Sequence, residues 1–163
     1  MLASIAGAFG TLEERDAQIE RSGFYREYPA VLRAYHALFA DPTSRLEAIK
    51  RALFLVWYAG VAPACVSAIR DLPERAVRAT LAELETEVRR GGGDDELRWM
   101  LAWYVDVGPW LFELYGGAPV LGDFLGDAPA DAWRAAAPGL ERLVNRGQMG
   151  QYWRSLVQGR LRG

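Results

Sequence analysis

The sequence predicts an all-α fold, a compact bundle of about six to eight helices, and three observations point to it. Apolar residues recur at spacings of three and four, the period of one helix face. No segment alternates apolar with polar residues over a strand length, and no Asn-Gly or Asp-Gly pair offers a hairpin turn. Gly and Pro fall between the periodic stretches, where they punctuate helices.

Composition sets the frame for these elements. The chain has 163 residues, 51% of them apolar and 25% charged. It reads as one globular domain over residues 1–163, able to bury roughly 70% of its unfolded surface. Residues 1–10 are apolar but carry no Lys or Arg, and Glu13 and Glu14 follow at once. That is not the pattern of a secretory leader; a frayed end or a short docking segment is expected. No uncharged apolar run approaches the roughly 20 residues of a membrane helix. Cys65 is the only cysteine, so no disulfide framework forms within the chain. A reducing, cytoplasmic setting is the expectation.

The first helix opens at Thr11. Thr11-Leu12-Glu13-Glu14 has the pattern of a capping box, in which hydroxyl and carboxylate each satisfy a free backbone N–H. Gly23 is its stop. Pro29 is placed as the first residue of a second helix, where its missing N–H is not needed. The third helix carries Leu46, Ile49, Leu53, Val56 and Trp57 on one face, with Phe54, Leu55 and Tyr58 covering much of the rest. A helix apolar nearly all round belongs in the middle of a bundle. Ser44 and Glu47 offer it a second capping box, and Gly60 and Pro63 interrupt it.

Pro73 starts an amphipathic helix with Val77, Leu81, Leu84 and Val88 as its buried stripe. Its wet side carries Glu74 with Arg78 and Glu85 with Arg89 at i, i+4. Gly91 to Gly93 end it, and Asp94 caps the most aromatic helix, which holds Trp99, Trp103 and Tyr104. The two central helices are therefore about 45–60 and 95–107. Gly108-Pro109 breaks the second of them. Shorter helices follow around Leu121 and Phe124, over Pro129–Ala137 with Trp133 as anchor, over Leu140–Asn145 and over Gln148–Gln158.

The net charge of −2 conceals an uneven distribution. Residues 1–90 balance, residues 91–131 carry eight acidic groups against Arg98 alone, and residues 132–163 carry six Arg against Glu141. The plainest reading is internal complementarity, with the C-terminal helices laid across the acidic segment. A protein partner of opposite charge, or head-to-tail pairing of two copies, is the next. Nucleic acid fits poorly, because the whole chain is acidic and carries no reader motif.

Groups able to do chemistry are few. His36 is the only histidine, so a Ser–His–Asp or Cys–His mechanism would have to use it. It sits in an apolar-patterned helix as a structural residue does. Asp94, Asp95 and Glu96 suit the start of a helix. Asp94 and Asp95 with Asp123 and Asp127 form a weaker candidate for a divalent-metal site, while no cofactor is expected. Six Trp and seven Tyr are the distinctive feature of the composition.

Two functional expectations follow. The first is a non-catalytic interaction module, an adaptor, accessory subunit or inhibitor that binds another protein or itself through Tyr152, Trp153, Arg154 and Arg160. Trp, Tyr and Arg are the residue types that dominate interfaces. The second is a binder of, or enzyme on, a small apolar ligand in a pocket lined by Trp57, Trp99, Trp103 and Tyr104.

Overall fold

The computed structural model describes residues 10–115, 118–126 and 139–160. The fold is a compact all-α bundle, with nine α-helices and no strand among the described residues. The first, α1, runs Leu12–Ser22. Its capping box forms as the sequence predicts. The Glu14 N–H donates to the Thr11 hydroxyl at 3.2 Å, and the Thr11 N–H donates to the Glu14 carboxylate at 2.8 Å. Gly23, at φ 79°, ends the helix and returns its N–H to the Glu20 carbonyl.

The second helix, α2, spans Phe24–Ala37 and begins directly after Gly23. The expected start at Pro29 is corrected: this proline lies inside the helix, leaving the Tyr25 carbonyl without its helical donor. Burial outweighs that loss, because Tyr25 and Tyr28 are only 8% and 4% exposed. A helix started at Pro29 would not place them in the core.

The central helix is α3, Arg45–Val61, which buries nine residues and packs against α2. Its predicted capping box does not form. Ser44 holds helical torsions and makes no side-chain cap. Glu47 is instead taken by Arg51 at 2.7 Å and Arg146 at 2.9 Å. Pro63 ends the segment and starts the single turn α4, Ala64–Ser67.

The amphipathic α5, Glu74–Arg89, buries Val77, Leu81 and Leu84 against α3, and both predicted i, i+4 ion pairs form on its wet side. The second aromatic helix, α6, covers Asp95–Val107, and the Asp94 carboxylate accepts from the Leu97 N–H at 2.8 Å. Pro109 opens α7, Pro109–Leu114, and α8 covers Ala118–Leu125. After a 3-10 turn at Leu140–Leu143, α9 runs Gly147–Arg160 back onto α3. The expected helix around Trp133 lies outside the described residues. Among those residues, no helix is long and apolar enough to cross a membrane.

Candidate functional site

The four residues expected to line a pocket, Trp57, Trp99, Trp103 and Tyr104, do come together between α3 and α6. The two aromatics expected on an interface join them. Tyr152 and Trp153 of α9 enter the same cluster, with ring centroids 4.4 Å apart for Trp99 and Trp153 and 5.5 Å apart for Trp57 and Tyr152. Trp57 stacks on Tyr104 at 4.5 Å. Two polar ends find partners within the cluster, while the Tyr104 hydroxyl and the Trp153 indole N–H are buried without one. The Trp103 indole N–H donates to the Tyr152 hydroxyl at 2.9 Å, and that of Trp57 donates to the Tyr104 carbonyl at 3.2 Å. The Tyr104 hydroxyl is fully buried, and burial raises its pKa well above the ordinary tyrosine value.

Trp153 is therefore a core residue, and the expectation of a surface pair is corrected there: its side chain is 0% exposed. Met149, Trp153 and Val157 form one buried stripe at i, i+4, i+8 of α9. That period was present in the sequence. The Tyr-Trp-Arg composition is equally typical of an interface, so composition does not distinguish the two settings. Arg154 is half-buried beside Trp153, and Arg160 is the last residue of α9.

A second cluster was not foreseen. Lys50, the only lysine, is 3% exposed on α3. Its ammonium donates to Asp94 at 2.7 Å and to Glu96 at 2.6 Å. Arg146 closes the group, holding Glu96 through both guanidinium nitrogens and Glu47 at 2.9 Å. Burial pushes the Glu96 carboxyl upward, but the hydrogen bonds from Arg146 and Lys50 outweigh it and hold its pKa below the ordinary value. Asp94 behaves alike: burial raises it, and bonds from Lys50 and the Leu97 N–H bring it below the usual carboxylate range. A compact ammonium on a long apolar stem suits this buried point between two carboxylates, where a planar guanidinium needs more room.

This arrangement differs from the metal cluster that the sequence allowed. Asp94 turns to Lys50, Asp95 is exposed and meets Arg98 at 3.5 Å, and Asp123 is exposed on α8. Asp127 lies outside the described residues. Among the described residues, no three His, Cys, Asp or Glu side chains gather to hold a metal ion. His36 is bonded too. The Thr80 hydroxyl donates to the Ala76 carbonyl, so it accepts from His36 Nε2–H at 2.8 Å.

The remaining feature is the outer face of α7. Of its six residues only Glu113 is polar. Leu111 and Phe112 point inward and are buried, whereas Trp110 and Leu114, one turn apart, are 50% and 70% exposed. Between this helix and its neighbours lies a hollow of about 140 Å³, lined by Val105, Pro109, Phe112, Glu113, Leu121 and Leu125. Among the described residues, the other large exposed apolar side chains are Leu12, Leu38, Val66 and Val144. Single exposed apolar groups are ordinary on a protein surface, but a tryptophan and a leucine one helical turn apart form an exposed apolar pair. The sequence signal for it was a helix turn apolar but for Glu113, Trp110 to Leu114. Comparison with protein-family models, with curated proteins and with solved structures finds no match to this chain.

Proposed function

We propose that the chain is a non-catalytic interaction module and that it docks another protein on the outer face of α7. The observation that carries the reading is the exposure of Trp110 and Leu114 side by side. Leaving both in water forgoes about 1.5–3 kcal/mol of burial for each side chain that a partner would cover. A surface helix with no other task would present polar groups there. The hollow between α7 and its neighbours supports a protein partner over a free ligand. At about 140 Å³ it lies below the roughly 300–1,000 Å³ of ordinary small-molecule sites. Its size suits one apolar side chain inserted as an anchor.

The test is site-directed photo-crosslinking in extracts of the protein's own cell. A photoreactive residue replaces Trp110, and in a control Arg33, which is exposed on α2. The proposal expects a discrete adduct from position 110, lost when Leu114 is changed to Ser, and none from position 33. Adducts of equal yield from both positions, or none from either, sink it.

A further inference from the structure

Three helices, α3, α6 and α9, meet in two layers. The first layer is ionic. Lys50 of α3 donates to Glu96 of α6 at 2.6 Å, and Arg146, immediately ahead of α9, bonds the same carboxylate. Two turns further along each helix comes an aromatic ring, Trp57, Tyr104 and Trp153. These rings form the second layer, with centroids 4.5 Å apart for Trp57 and Tyr104 and 5.5 Å apart for Tyr104 and Trp153. The seat between α3 and α6 thus takes a helix with a cation at its start and an indole two turns on. The resident helix is the least helix-prone of the three. It holds Gly147, Gly150 and Gly159 within 14 residues, against one glycine in α3 and none in α6. Its seating also leaves polar atoms unmatched. Among the described residues, four buried side-chain polar atoms lack both a hydrogen bond and an ion pair. Three of them are Trp153 Nε1 and Arg154 Nε of α9 and the hydroxyl of Tyr104 beside it. Release of α9 returns these atoms to water, a gain that opening of α5 does not bring.

We infer that α9, with the 3-10 turn before it, leaves its seat as a unit while the rest of the bundle stays folded, and that the seat takes the same helix from a second copy. Turn and helix move together because Gly150 lies so close on the Leu143 carbonyl that a Cβ would strike it. Leaving breaks the Arg146 ion pairs, the bonds of the Gln148 amide to the Tyr28 hydroxyl and the Ser67 carbonyl, and the packing of Met149, Trp153 and Val157. A second copy supplies the identical set, so reseating needs no new complementarity. Exchange of an identical element is a low-cost route to self-association. Residues 126–139 separate α8 from the 3-10 turn, and a chain of that length reaches roughly 45 Å when extended. The inference is independent of the docking role given to α7.

The experiment joins hydrogen exchange of the wild-type chain to binding of a fluorescent peptide of residues 140–160 to that chain. Amides of α9 should exchange about tenfold or more faster than those of α3 and α5. The peptide should bind at a rate that levels off at high peptide concentration, because the resident helix must leave first. R146Q in the full chain loosens the resident helix and should raise the affinity for the peptide about tenfold. Trp153→Ala in the peptide should lower it about tenfold or more. The measurements on the wild-type chain stand whether or not R146Q folds. Exchange of α9 in step with α3 and α5 overturns the release. Release without peptide binding, or equal binding of the W153A peptide, overturns the reseating of a second copy's helix. A binding rate that rises linearly with peptide concentration places the peptide elsewhere on the chain and overturns it as well.

Discussion

Lys50 shows how one side chain ties three parts of the chain together. It sits on α3, accepts Asp94 and Glu96 from the start of α6 as partners, and through Glu96 shares them with Arg146 ahead of α9. Replacing it with Met leaves the two carboxylates with less positive charge, although Arg146 still holds Glu96. A fully orphaned buried charge costs roughly 3–5 kcal/mol, so about 2–3 kcal/mol is expected here, read by chemical denaturation. The pH dependence has a definite sign. Asp94 and Glu96 both titrate lower in the folded state. Their contribution is complete above the ordinary carboxylate range and is lost as pH falls below about 4. The K50M variant should show a shallower loss of stability in acid than the wild type. Trp153 is the other residue whose role the structure decides. Trp153→Ala should destabilise by about 3–5 kcal/mol, as removal of a core indole does. A melting temperature within a degree or two of wild type would return Trp153 to the surface.

The elements were legible wherever local chemistry was decisive. The Thr11 box, the Asp94 cap, the Pro73 and Pro109 starts and the all-round apolar character of α3 are each written within a few residues. The sequence misled where tertiary burial overrode a local preference, as at Pro29, held inside α2 by Tyr25 and Tyr28, and at Ser44, whose intended partner Glu47 is drawn off by two arginines. Of the Lys50 cluster only the attraction between the basic end and the acidic segment was legible; its particular pairs lie about 45 to 100 residues apart, and only packing selects them. The junction between α6 and α7 offers a test at this scale. A Cβ on Gly108 would meet Val61 Cγ1 at 2.7 Å, and valine is too stiff to turn aside. Gly108→Ala should therefore cost about 1–3 kcal/mol by overpacking. Adding Val61→Ala should recover part of it, as a double-mutant cycle in thermal melts would show. Equal stability of Gly108→Ala and wild type would mean that α7 is free to shift.

Across the whole molecule, the uneven charge divides into two uses. Part of it is internal: Arg146 from the basic end does lie against Glu96 of the acidic segment. The other part, Asp106, Glu113 and Asp123 on α6, α7 and α8, is exposed and has no such partner among the described residues. The aromatic richness divides in the same way. Trp57, Trp99 and Trp153 fill the core, and Trp110 stands half in solvent. Composition alone could not separate these uses, since a tryptophan count is the same for a core and for an interface. The proposed function depends on the exposed remainder. Native mass spectrometry of the protein gently purified from its own cell tests it most directly, with wild type and Trp110→Ser/Leu114→Ser compared side by side. The account predicts a discrete additional protein mass on the wild type and a bare chain for the variant, at equal melting temperature. The same added mass on both proteins would place the binding surface elsewhere and contradict the role given to α7.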